Sequence, residues 1–98
     1  MIEVFTCNIE EIKDKHKIVF IEEIKDEIIV FKKDNIVNTF SSVCPHLAGQ
    51  ITLKKNSLQC KWHGLRFDSN GMVNNCSLKL KLRQYQNIIK DNRVYVKI

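Results

Sequence analysis

The chain has 98 residues, 44% of them apolar, with 16 Lys and Arg against 11 Asp and Glu for a formal charge of +5. That length suits a single domain, 1–98, with one compact core and excludes a deep catalytic pocket beside it; the apolar share excludes a disordered or collagen-like chain. The basic residues are mixed with acidic ones and form no long like-charged run, so they read as a solvated surface or as steering toward an acidic protein, and nothing marks a nucleic-acid site.

Met1 is followed by Ile2-Glu3-Val4-Phe5-Thr6, without a basic start or a long apolar run. No secretory leader or membrane span is expected, and the expected compartment is the cytoplasm, where thiols stay reduced. Asn8-Ile9-Glu10-Glu11 places an N-cap residue three positions before a Glu, so a short helical turn is expected there. The β-branched runs 17–21 and 27–31 have strand length, and 36–40 reads as the next strand of a hairpin. Lys25-Asp26 and Asp34-Asn35 stand where the turns are needed. From Ser41 to about Val73 the pattern breaks: this stretch holds every glycine, the one proline and the one tryptophan. It reads as a loop-rich insertion, 41–73, in a β scaffold, with Asp68-Ser69-Asn70-Gly71 as a turn in which Gly71 takes positive φ. Leu78, Leu80 and Leu82 alternate with Lys79 and Lys81, and Val94, Val96 and Ile98 alternate with Tyr95 and Lys97. Period two predicts two strands, each with one face buried, and Asp91-Asn92 offers the turn before the last.

The chemistry is concentrated in the insertion. Cys44-Pro45-His46 and Cys60-Lys61-Trp62-His63 form the pattern C-x-H … C-x-x-H, with 13 residues, 47–59, between the halves. Two thiolates and two imidazoles complete a metal ligand set. Two pairs of identical composition suit two metals bridged by something else. A single zinc ion accepts the same donors and would make the chain a zinc-stabilised interaction module, although zinc fingers usually place both cysteines before both histidines.

The two motifs, with Leu47-Ala48-Gly49 after the first and Gly64 and Arg66-Phe67-Asp68 after the second, resemble the cluster loops of the Rieske family. The resemblance extends over the whole chain. It implies an all-β fold: an antiparallel β sandwich or partial barrel with a loop-rich cluster-binding subdomain. It also implies one 2Fe–2S cluster, with Cys44 and Cys60 on the inner iron and His46 and His63 on the outer, solvent-facing iron. Two thiolates leave the oxidised centre neutral where four would leave it doubly negative, so neutral imidazoles raise the potential. Reduction should also raise the pKa of the bound histidines.

High-potential members of that family carry an additional cysteine in each loop and hydroxyl groups that bond to sulfur. Here Gly49 and Lys61 or Trp62 stand near the first kind of position, and Leu65 and Phe67 near the second. A loop disulfide is excluded and donors to sulfur are fewer, which predicts the low-potential end of the Rieske range. The spacing between the loops implies a trimmed connection around Leu53–Ser57, and Asn74-Asn75-Cys76-Ser77 lacks the proline that often shields the cluster.

Cys7 and Cys76 are expected to be structural thiols and His16 an exposed residue at a strand start. Trp62 is expected to pack its loop and Leu47 to cover the cluster. The implied function is that of a ferredoxin, a one-electron carrier and not itself an enzyme, passing electrons from a reductase to an oxygenase-type acceptor. The alternative is a fixed subunit or detached domain of an oxygenase or reductase.

Overall fold

The computed structural model describes residues 2–13, 15–33, 35–44, 49–54, 57–61, 65–68, 70–75 and 80–98. Their strands are β1 (Glu3–Asn8), β2 (His16–Ile21), β3 (Asp26–Lys33), β4 (Ile36–Ser41), β5 (Ile51–Lys54), β6 (Ser57–Cys60), β7 (Arg66–Phe67), β8 (Gln86–Lys90) and β9 (Arg93–Lys97). They form three antiparallel sheets in the orders β1-β9-β8, β2-β3-β4 and β5-β6-β7. The described residues contain no α-helix, only two short 3-10 turns, so the fold is all-β as expected.

The expected helical turn is the first of these, Ile9–Ile12, and its capping is visible: the Asn8 backbone N–H donates to a Glu11 carboxylate oxygen at 2.8 Å. Hairpin turns fall on residues that tolerate left-handed backbone. Lys25 has φ 52°, Asn35 64°, and the Asp91-Asn92 pair 50° and 63°. Two successive positive-φ residues suit the right-handed twist of the β8–β9 hairpin.

Strand β3 explains how one small chain carries two cores. Ile28 and Val30 enter one, with Cys7, Ile12, Ile21, Val37, Val94 and Val96. Ile29 and Phe31 enter the other, with Phe40, Cys44, Ile51, Leu58, Cys60, Leu65, Phe67 and Leu82. Successive strand residues face opposite ways, so a strand lying between two cores reads as an unbroken apolar run.

Residues 83–85 lie along β4: Ser41 N–H donates to the Arg83 carbonyl at 2.8 Å, and Tyr85 N–H to that of Thr39 at 2.9 Å. The chain thus leaves β4 at Ser41 and returns beside the same strand. Between these points the third sheet continues past β7. Asn74 N–H donates to Arg66 O, Val73 N–H to Leu80 O and Leu82 N–H to Gly71 O.

Of the strand expected over the alternating leucines, the described residues 80–82 form no regular strand. Leu78 lies outside the described residues. Beyond it the alternation holds, with Leu82 buried and Lys81 exposed, but the pairing is one isolated bridge, Met72↔Lys81. The neighbouring segment begins at the Asp68–Gly71 turn, where Gly71 N–H donates to Asp68 O at 3.0 Å. There Asp68 Oδ1 accepts the N–H groups of Asn70 and Met72, at 2.8 and 3.1 Å, and Gly71 has φ 82°. A Cβ on Gly71 would stand 2.8 Å from the Phe40 ring, so glycine is required by space as well as by dihedral.

Candidate metal centre

Cys60 ends β6, Cys44 follows the Val43↔Gln50 bridge three residues past β4, and both loops are closed in the same way. Cys44 N–H donates to the carbonyl of Gly49, five residues on, at 2.7 Å. Cys60 N–H donates to that of Leu65, again five residues on, at 2.8 Å. The loops are also joined to one another, since Lys61 N–H donates to the Gln50 carbonyl at 3.0 Å.

The register brings the two thiols together. Val43 bridges Gln50, with Ile51 N–H bonded to Ser42 O, so Cys44 lies across from Gly49. Ile51 in turn lies across from Cys60. Residues directly opposite in antiparallel strands share a face, as do residues two apart. Cys44, Ile51 and Cys60 are therefore on one face of the sheet, and both cysteines are buried, at 1% and 2% exposure, within one apolar cluster. Cys60 is not in a disulfide.

His46 and His63 lie outside the described residues, as do Leu47, Trp62 and Cys76. Among the described residues no three His, Cys, Asp or Glu gather as a metal site. The donor set still fits a metal–sulfur group. Two soft thiols, able to serve as metal ligands, sit in a shell of Ile51, Leu65, Phe67 and Leu82 that keeps water away. Leu65 and Phe67 are buried and bring no hydroxyl to that shell.

Cys7 is a buried thiol in the other core, and burial pushes its pKa up, as suits an inert packing residue. His16 does begin β2, but it is half-buried, because it pairs with Phe31 at the edge of the core instead of standing clear of the sheet.

An open groove of about 930 Å³ borders Cys44. Lys25, Lys81 and Arg83 line it, with Asp26 as its carboxylate, and Val43 in its wall is 40% exposed. Asp26 accepts hydrogen bonds from the Tyr85 hydroxyl at 2.6 Å and Ser41 Oγ at 3.1 Å. Burial, then the bond to Asp26, raises the pKa of Tyr85, while the bond to Tyr85 raises that of Arg83. Both groups therefore stay protonated.

Sequence reasoning did not find β5 and β6, which carry the site. Their signal was short but present: Ile51 and Leu53 alternate with Thr52 and Lys54, and Leu58 and Cys60 with Ser57 and Gln59. The trimmed connection expected around Leu53–Ser57 is part of this hairpin, whose register runs to Lys54↔Ser57.

Paired soft donors in an apolar shell at the end of a β scaffold suit a metal-binding domain. The chain belongs to the Rieske [2Fe-2S] domain family, which matches residues 3–86. Its cofactor is accordingly a 2Fe–2S cluster, and this sets aside the single zinc ion. No curated protein matches the sequence. Solved structures share the fold. A ferredoxin of Sphingomonas yanoikuyae B1 superposes with a TM-score of 0.85 at 20% identity, over 99% of either chain. The ferredoxin of carbazole 1,9a-dioxygenase from Nocardioides aromaticivorans IC177 gives 0.80 at 18%, over 98% of this chain and 97% of its own. Apo dicamba monooxygenase gives 0.79 at 21%, over 97% of this chain; the present chain spans 32% of that enzyme.

Proposed function

We propose that the protein is a one-electron carrier whose cluster is held by Cys44, His46, Cys60 and His63, and that it draws on a reductase and supplies an oxygenase or related redox enzyme. The observation that carries this reading is the matched closure of the two cysteine loops, with both thiols on one face of one sheet. When bound, the cluster supplies reversible one-electron chemistry. The chain's own part is to hold it. Cys60, at the end of β6, and Cys44, next to the Val43↔Gln50 bridge, would anchor it where the backbone is hydrogen-bonded, so little need move when the charge changes. Ile51, Leu65 and Phe67 exclude water on the buried side. His46 and His63, each two or three residues beyond a cysteine, take the outer iron and the solvent-facing side.

The lack of hydroxyl side chains at Leu65 and Phe67 supports a potential toward the low end of the Rieske range, about −150 mV. A redox titration settling near the respiratory end, at a few hundred millivolts positive, would refute this part. The basic groove beside Cys44 suits the small, transient docking of an acidic redox partner in the cytoplasm. The reading as carrier, without catalysis of its own, rests on the ferredoxin likeness along the entire chain.

The likeness to one third of an oxygenase favours a second reading, a cluster domain with one permanent partner. Purification under gentle conditions separates the two. A carrier emerges alone and reoxidises with an added acceptor protein, whereas a fixed subunit emerges in stoichiometric complex. Iron and acid-labile sulfide assays on the anaerobically purified, red-brown protein test the cluster itself. Colourless, zinc-loaded protein would end the proposal.

A further inference from the structure

Glu27, on the base strand β3, reaches both feet of the first cysteine loop. Its Oε1 accepts a hydrogen bond from Ser42 Oγ at 2.9 Å and another from Gln50 Nε2 at 3.1 Å. Ser42 precedes Cys44 by two residues, and Gln50 directly follows Gly49, whose carbonyl closes the first loop. One carboxylate oxygen thus grips the first loop on the way in and on the way out. The grip on Ser42 is doubled by the backbone. The Glu27 carbonyl accepts Ser42 N–H at 2.7 Å and lies 3.0 Å from Ser42 Oγ, whose single proton is shared between carbonyl and carboxylate, and Ser42 is fully buried. Gln50 then passes the connection on. Its carbonyl accepts Lys61 N–H at 3.0 Å, and its Oε1 accepts Lys61 Nζ at 3.4 Å, next to Cys60.

We propose that Glu27 is a positioning residue for the metal centre: its carboxylate fixes both loop feet to the rigid base and sets a negative charge behind the thiolate side of the cluster. This rests on the ligand assignment proposed above. Hydrogen bonds to a charged acceptor are shorter and stronger than neutral ones, and partners of this kind orient the groups that hold a metal. Ser42 and Gln50 lie far from Glu27 in sequence, at separations of 15 and 23 residues, so the grip joins separate elements and does more than stabilise a turn.

Three variants test it. Glu27→Gln keeps an oxygen acceptor but removes the charge, Glu27→Ala removes both, and Lys97→Gln removes a charge on β9, which does not border the site. Hydrogen exchange on the metal-free chain reads the grip directly. In E27A the amides of Ser42 and Lys61 should exchange at least tenfold faster while those of Val94 and Val96 keep their rates. In the loaded protein E27A should lose iron to a chelator several-fold faster, with an altered visible circular dichroism spectrum. E27Q should keep the wild-type spectrum and take up its electron at a more positive potential, and K97Q should not. Wild-type exchange rates and chelator kinetics in E27A, or an unmoved potential in E27Q, would overturn the proposal. Wild-type protein that binds no iron or sulfide would instead refute the ligand assignment, and the exchange experiment would still judge the grip.

Discussion

The base of the molecule and its cysteine-bearing end are held by different means. In the base, strands of 5 to 8 residues pair in long registers, and Ile28, Val30, Val94 and Val96 interlock with no exposed surface. At the other end the strands have 4, 4 and 2 residues, and beyond them the chain is tied by single bridges and side-chain-braced turns. The base owes its order to apolar burial and to continuous strand ladders. Among the described residues the cysteine end has shorter ladders, so a metal group held there would contribute more to its order. The difference teaches that one half can stand as a scaffold while the other, on the proposed ligand assignment, depends on what it binds.

The comparison can be broken most sharply at the thiols. Cys44→Ser or Cys60→Ser should abolish cluster binding while the far-ultraviolet circular dichroism of the β base persists. Global unfolding of either variant would show that the two halves are not separable. Next in size are truncations on β3, where adjacent residues report on opposite cores. Ile28→Ala and Ile29→Ala should each cost about 2–5 kcal/mol in denaturant unfolding. Only Ile29→Ala, which opens the cluster-side core, should also speed iron loss.

Gly71→Ala comes third. The positive φ and the close approach to Phe40 together should cost about 1–3 kcal/mol, read as a lower thermal midpoint. The smallest effect belongs to the base. The Asn8 backbone N–H holds the Glu11 carboxyl below its ordinary pKa. A group with a lowered folded pKa stabilises above its unfolded value and loses that contribution as pH falls through the folded one. Acid titration of stability should therefore be slightly shallower in Glu11→Gln than in the wild type.

Legibility followed the same division. Val94 and Val96, buried on a one-sided strand, announce themselves by alternation, and the Asp91-Asn92 and Asp68–Gly71 turns by residue type. Strand β1 was silent because a register shift between Phe5 and Cys7 buries Thr6 and Cys7 in succession and breaks the period. Thr6 is accommodated by donating to the Val94 carbonyl at 2.7 Å. Strand β8 was silent because it is mostly exposed, with Ile89 at 48%. In the cysteine end the spacing singled out Cys44 and Cys60, which the structure puts on one face of one sheet, while His46 and His63 lie outside the described residues. Glu27 was not legible, because a carboxylate that grips residues 15 and 23 positions away has no local signature.

The ligand assignment is tested most directly by pulsed electron paramagnetic resonance of the reduced, anaerobically purified protein, with iron and sulfide counted on the same sample. Two iron and two sulfide per chain are expected, with nitrogen couplings from two imidazoles, one of them lost in His46→Cys and the other in His63→Cys. A cluster without nitrogen couplings, or couplings that survive both substitutions, would contradict it.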